Sequence, residues 1–327
     1  MGFQRIGILS IGEMGYHWAK ILTTRGVEVL TYAKDRSETT RKRAENVGVK
    51  CVPSTAVLVK DADLIVSIVV PSAAKRVATK VAKAAAKSGR SNLLYLDANA
   101  ISPMTADEIG KVLQPSGVNF IDGCIIGSAT KMDNGAVVYV SGPQAPKIQE
   151  LEPYGFSVKV LGPTVAQASA FKVVYAGLTK GLQGLFVELL MGARRFGLLD
   201  EILKRYEESF PGLLDKVTSS IVGLRIHAAR RAEEMDELKR TFAYHEMKAF
   251  MAPAVQKVLQ SIAELDVGKT SVPGAREGDL LETLELFLKR AFCNRSKEKR
   301  RPPNRFMRQA KRRWARLRFC GVSEIDL

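Results

Sequence analysis

Cysteine, histidine and tryptophan are scarce: the 327 residues include 4 Cys, 3 His and 2 Trp. Cys51, Cys124, Cys293 and Cys320 lie far apart with no CxxC pair. That excludes a disulfide framework or zinc ribbon and leaves free thiols suited to a reducing compartment. His17, His227 and His245 each stand alone, so no metal site is expected. Long apolar runs are missing too. Residues 64–70 form one of the longest, well short of the roughly 20 residues that cross a bilayer. No signal-like segment precedes Ile6, and Ile6 itself occupies the place where a myristoylation signal carries Ser or Thr. The expectation is a soluble, cytoplasmic protein with no membrane attachment.

What is present is a chain of one or two domains, with 46% hydrophobic residues to build a core. Its net charge of +16 is concentrated at one end. Residues 289–318 hold 14 Lys/Arg and one acid, Glu298, and so carry +13; residues 319–327 carry −2 and residues 1–288 only +5.

The chain is organised around residues 5–22, RIGILSIGEMGYHWAKIL. Ile6, Ile8 and Leu9 begin a buried strand. Ser10, Ile11, Gly12, Glu13, Met14 and Gly15 form a tight turn, and Trp18, Ile21 and Leu22 recur at the spacing of one helix face. Strand, glycine turn and helix in that order aim backbone N–H groups and a positive helix terminus at a pyrophosphate. Gly12 admits the phosphates and Gly15 lets the helix pack on the strand. Ser10 holds the first position of the usual G-x-G-x-x-G.

Residues 27–32, 49–52, 64–69 and 92–96 read as further strands, with helices over 37–46 and 73–87 between them. The alternation implies a parallel sheet with right-handed crossovers, and residues 102–113, 119–121, 136–140 and 157–160 extend it. From Pro163 the character changes. Thr164 caps a long helix running to Phe196 and ended by Gly197, and residues 198–265 are helical pattern broken at Pro211 and Pro253. One more helix covers residues 279–292. The expected architecture is α/β: a Rossmann-type doubly wound parallel sheet over residues 1–163, then a smaller all-α domain over 164–290 entered through a long interdomain helix. Residues 291–327 form a basic tail, read as disorder or as an extension past the gene's true end.

In a doubly wound sheet the ligand lies at the carboxyl ends of the strands. After the second strand no acid stands at Tyr32 or Ala33 for a ribose 2′-hydroxyl. Arg36 with Ser37 suits a 2′-phosphate, favouring NADP over NAD; in the alternative Asp35 takes the hydroxyl and Arg36 is solvated. Val70, Pro71 and Ser72 make a rigid turn near the nicotinamide. Asp97, Ala98 and Asn99 precede the capped helix start Ser102-Pro103, and Gly127 and Ser128 offer donors to an anionic substrate. Lys172 shares a helix face with Tyr175 and Thr179. A lysine in that apolar helix is either a snorkelling surface residue or, if buried, a general acid/base with a lowered pKa. Lys180 is read as a binder of a substrate carboxylate rather than as a perturber of Lys172. Glu233, Glu234, Asp236 and Glu237 are read as a solvated helix face.

Together these residues resemble the β-hydroxyacid dehydrogenase and 6-phosphogluconate dehydrogenase superfamily. The turn Gly12-Glu13-Met14-Gly15 is similar to its G-x-M-G, residues 97–103 to its segment beside the nicotinamide, Gly127-Ser128 to its substrate loop, and Gly162 followed by Lys172 to its catalytic-lysine helix. ASAFKVVYAGLTKG (168–181) and AARRAEEMDEL (228–238) resemble a branch with a distinct C-terminal helical domain. The resemblance spans residues 3–245. Ser10, Ile126 and Ala176 depart from it, the last two where commoner members carry substrate-binding Ser and Asn.

The resemblance implies reversible hydride transfer between a nicotinamide and a hydroxy acid or related alcohol. Lys172 would act as general acid/base, and Asn99, Gly127, Ser128, Tyr175 and Lys180 would face the substrate. It also implies a homodimer through the all-α domain. Two alternatives stand beside a working dehydrogenase: a non-catalytic cofactor sensor, and a protein acting through its basic tail. That tail carries an import-like KEKRRPPNR, basic runs that suit nonspecific nucleic-acid contacts, and a possible basic amphipathic helix that suits calmodulin or an anionic membrane.

Overall fold

β1 (Arg5–Leu9) opens the chain, followed by α1 (Glu13–Thr24), β2 (Glu28–Thr31), α2 (Glu38–Asn46), the short β3 (Lys50–Cys51) and α3 (Thr55–Asp61). β4 (Leu64–Ser67), α4 (Pro71–Ser88), β5 (Leu94–Asp97), α5 (Pro103–Leu113), β6 (Asn119–Ile126), β7 (Val137–Ser141) and β8 (Ser157–Gly162) complete the first half. This computed structural model describes residues 2–34, 37–265 and 278–288. Arg36 and the basic tail therefore lie outside the described residues.

Local chemistry sets the boundaries. Ser37, Ser54 and Ser102 each cap a helix by accepting from a backbone N–H three residues on. Pro71 and Pro103 sit in first turns, where the missing N–H has no intrahelical role, and Gly89 ends α4 in the left-handed conformation. Ser102–Leu113, which the strand pattern places in the sheet, is instead the cap and crossover helix α5, and α3 is an element the pattern does not reveal.

All eight strands form one sheet in the order β3-β2-β1-β4-β5-β6-β7-β8. Pairing is parallel except between β6 and β7. The expected doubly wound sheet is thus mostly parallel, and the cause of its one reversal is length: residues 127–136 are too few for a crossover, which takes a dozen or more. α1 and α2 cover one face over Ile6, Ile8 and Val29, while α3, α4 and α5 cover the other over Leu9, Ile65 and Tyr95.

α6 (Gln167–Phe196) follows β8 and leads into α7 (Leu199–Ser209), α8 (Leu213–Val222), α9 (Leu224–Tyr244), α10 (Met251–Ala263) and α11 (Gly278–Phe287). Ala166, not Thr164, is its N-cap, and Gly197 ends it in the left-handed conformation. Pro211 does separate two helices. Pro253 does not: it lies in the first turn of α10, where it removes no intrahelical hydrogen bond, and the break falls at residues 245–250. Phe186, Leu190, Leu224, Leu259 and Phe287 pack into a second core. By length and composition, α6 is the one described helix long and apolar enough to cross a bilayer. Its buried face, including Val187, Leu190 and Met191, packs on the helices around it.

Candidate active site

The turn after β1 brings the chain back on itself around Gly15. A Cβ at Gly15 would stand 2.2 Å from the Ser10 carbonyl oxygen, so glycine there allows α1 to press onto the turn. Ser10 adopts φ +91°, the conformation that glycine normally supplies at this position. Gly12 is the N-cap of α1 with no side-chain cap, and a Cβ there would meet nothing within 4 Å. An uncapped, positively polarised helix start beside open space fits a pyrophosphate. Ile11 is fully buried, while Glu13 and Met14 occupy the first turn of α1.

At the end of β2, the buried Thr31 hydroxyl donates to the Ile8 carbonyl at 2.7 Å and fixes the two strand ends. Ser37 is committed to capping α2, where its Oγ accepts from the Thr40 N–H at 3.3 Å. Val70, the exposed N-cap of α4, and Pro71 form the rim after β4.

Asn99 sits deeper than its loop position implies. Its Oδ1 accepts from the Val69 N–H at 2.6 Å and its Nδ2 donates to Ser67 Oγ at 3.1 Å, so the side chain staples the ends of β4 and β5 together. Its own N–H donates to Asp97 Oδ1 at 3.0 Å. Asp97 is fully buried and its Oδ2 has no partner among the described residues. Burial, with a smaller push from Asp122, raises its carboxyl to about 7.

Lys172 is mostly buried. Its Nζ donates to the Ile125 carbonyl at 2.7 Å, at the end of β6 and two residues before Gly127. Burial lowers its pKa; the Lys180 cation adds a repulsion that favours the shift, and the Glu234 carboxylate opposes it. Burial in turn pushes the Cys124 thiol up to about 12, so it stays neutral beside the amine. Gly127 takes φ +136° with its would-be Cβ 2.6 Å from Ala136, and Ser128 pairs with the Thr130 hydroxyl at 3.0 Å. Tyr175 lies one turn beyond Lys172 and is half-exposed.

Lys180 differs from the expectation of a free carboxylate binder: it forms a 2.7 Å ion pair with Glu234 of α9, which also holds Arg230. The acidic run is likewise not simply solvated. Asp236 pairs with Lys239 and Arg240 and accepts from Gln256 of α10. Among the described residues no cluster of metal-ligating side chains occurs.

The anchor of the helix that carries Lys172 is not legible in the sequence. Asp122 accepts from the Ser169 N–H at 2.8 Å, from Ser169 Oγ at 2.6 Å and from Ser141 Oγ at 3.1 Å, while Ser141 Oγ accepts from the Ala168 N–H at 2.9 Å. All three side chains are buried. The available signals were an acid inside an apolar strand and a serine three residues before Lys172.

A glycine turn opening a Rossmann sheet, and a buried lysine on the helix leaving it, define an NAD(P)-binding protein with a helical second domain. Residues 5–155 match the NAD binding domain of 6-phosphogluconate dehydrogenase, and residues 193–262 match a domain of unknown function, DUF1932. An uncharacterized 28.5 kDa protein from the 7S RNA 5′ region of Methanothermus fervidus is 33% identical over 262 residues, 80% of this chain and all of that one. The chain belongs to the 6-phosphogluconate dehydrogenase-like family, in the branch with the distinct C-terminal helical domain. A conserved protein of unknown function, reported as structurally similar to 3-hydroxyacid dehydrogenases, superposes with a TM-score of 0.68 at 28% identity, covering 80% of this chain and 97% of that one. The 3-hydroxyisobutyrate dehydrogenase of Mycobacterium tuberculosis shares the fold, with a TM-score of 0.70 at 16% identity over 86% of this chain and 98% of its own.

Proposed function

We propose that the protein is an NAD(P)-dependent oxidoreductase acting on a hydroxy acid or related alcohol/ketone, with NADP the preferred coenzyme and Lys172 the general acid/base. One observation carries this reading: a mostly buried amine, depressed in pKa, held on the Ile125 carbonyl at the carboxyl edge of the sheet. A surface lysine has neither the burial nor the fixed acceptor.

The N–H groups at the start of α1, beside Gly12, would hold the pyrophosphate, and the rim at Val70-Pro71 would border the nicotinamide. When bound, the nicotinamide supplies the hydride acceptor or donor. Lys172 Nζ takes the substrate hydroxyl proton in the oxidative direction and returns it in the reductive one. Because the neutral amine is the base, the oxidative rate rises with pH through the lowered Lys172 pKa. Gly127 and Ser128, two and three residues beyond Ile125, offer donors to the acid. Asn99 shapes the floor by fixing the β4 and β5 ends. Lys180, tied to Glu234, sets the charge around Lys172 rather than standing free for the substrate. The free thiols Cys51 and Cys124 support a reducing, cytoplasmic setting.

The test measures cofactor affinity by fluorescence alongside steady-state turnover on 2- and 3-hydroxy acids. Lys172→Ala should lower turnover by roughly 10²–10⁴-fold with cofactor affinity nearly unchanged. Lys172→Arg should fail almost as badly, since arginine stays protonated. Turnover equal to the parent's in Lys172→Ala would overturn the mechanism, and binding without turnover in the parent would leave a cofactor sensor.

A further inference from the structure

The adenosine end of the site has a feature that the phosphate-binding turn does not explain. A cavity of about 140 Å³ opens at the carboxyl ends of β1 and β2, bordered by Leu9, Tyr32, Thr55, Arg76, Val77 and Lys80. It is smaller than the roughly 300–1,000 Å³ of a site enclosing a whole drug-sized ligand, and so suits one end of a longer molecule. Among the described residues no carboxylate lines it. Arg76 and Lys80 stand at i and i+4 on α4, where like charges repel. Among the described residues neither takes an ion pair, whereas Lys75 beside them is neutralised by Glu108 at 2.7 Å. Ser37, the hydroxyl after β2 that would suit a 2′-phosphate, already caps α2.

We propose that Arg76 and Lys80 are coenzyme-specificity residues that grip the 2′-phosphate of NADP from α4, across the cavity from the β2 end. The proposal rests on the dinucleotide reading above and deepens it. A phosphate between the two side chains would remove their mutual repulsion and exchange water for charge-assisted hydrogen bonds, with Arg76 able to contact two phosphate oxygens at once. A ribose 2′-hydroxyl would leave both cations as they are, so discrimination arises without any group that repels NAD.

The experiment titrates 2′,5′-ADP and 5′-AMP into the full-length protein by calorimetry, with NADPH binding followed by fluorescence. The parent should bind 2′,5′-ADP more tightly than 5′-AMP. Arg76→Ala and Lys80→Ala should each reduce 2′,5′-ADP affinity roughly tenfold to a hundredfold, with 5′-AMP affinity unchanged. Lys83→Ala, one turn further along α4 and outside the cavity lining, controls for net charge and should change neither. NADPH binding with a 2′-phosphate preference that survives both cavity variants would overturn this inference while leaving the dinucleotide reading intact. Equal losses in Lys83→Ala would overturn it too, by reducing the effect to bulk electrostatics. No binding of NADPH or NADH by the parent would overturn both.

Discussion

Ser169 Oγ donates to Asp122 Oδ1 at 2.6 Å, a buried contact that joins α6 to β6 one turn before Lys172. The Ser169 N–H and the Ser141 hydroxyl donate to Oδ2 of the same carboxyl, so the helix start is held by both backbone and side chain. The link is what sets Lys172 opposite the Ile125 carbonyl, and it makes Ser169 a positioning residue. Ser169→Ala should cost about 1.5–3 kcal/mol of stability, the usual range for a hydrogen bond to a charged group. It should also lower kcat more than it raises KM and move the rising, acid-side limb of the oxidative rate–pH profile toward higher pH, as Lys172 becomes better solvated. A stability loss with an unmoved pH profile would reduce Ser169 to a purely structural role.

The two glycines of the phosphate turn should separate folding from binding. A Cβ at Gly15 meets the Ser10 carbonyl at 2.2 Å, a backbone atom that cannot move aside without shifting α1. Gly15→Ala should therefore lower the melting temperature markedly and abolish cofactor binding as well. Gly12 has φ −69°, open to any residue, and free space where its Cβ would go. Gly12→Ala should melt close to the parent yet bind NADPH at least tenfold more weakly, because the new methyl occupies the phosphates' place. Thermal melts and fluorescence titrations check both. Undiminished binding in Gly12→Ala would mean that the pyrophosphate sits elsewhere.

Much of this arrangement is legible in the sequence, because the information is local. Strand runs such as 64–69, the turn at Gly12 and Gly15, and Gly197 at the end of α6 follow from periodicity and backbone chemistry within a few residues. What escapes is set by pairing over long separations. The reversal of β7 depends on how much chain residues 127–136 can span, and Asn99 is absorbed by Ser67 and Val69 some thirty residues away. Lys180 and Glu234 read as a free cation and a solvated acid until α6 and α9 meet. Cavity lining is the least legible: Arg76 and Lys80 resemble any exposed cations of an Ala/Lys-rich helix until α4 is set against the ends of β1 and β2.

Asp97 should leave a signature in acid stability. Its carboxyl is raised from the ordinary range to about 7 by burial, so the folded protein binds a proton there that the unfolded chain releases. The resulting stabilisation is fully present below the unfolded pKa of about 4 and is lost as pH rises through about 7. Asp122, also raised by burial, contributes with the same sign, which is why a difference measurement is needed. Asp97→Asn keeps an oxygen to accept from the Asn99 N–H and cannot titrate. The difference in unfolding free energy between parent and variant should fall steadily from pH 4 to pH 7 and level off above it, by urea denaturation at each pH. A difference independent of pH would place the titration elsewhere.

The outer face of α6 predicts how the protein assembles. Leu178, Leu185, Leu189 and Phe196 are 65%, 44%, 44% and 78% exposed, and with Val174 they fall on one stripe of the helix. Gly181 and Gly192 lie on the same stripe with open space above them, so a second helix could approach closely there. An apolar ridge of this length facing water is costly at about 25 cal/mol per Å², and no described element covers it. A second copy would do so symmetrically, with α6 of each chain against the other, in line with the dimer that the family resemblance implies. Light scattering on the full-length protein at micromolar concentration should give twice the chain mass. Leu185→Glu with Leu189→Glu should give the single-chain mass, with the Rossmann half still binding NADPH, because both positions lie far along α6 from the glycine turn. A sharp single-chain mass for the parent at these concentrations would rule this interface out.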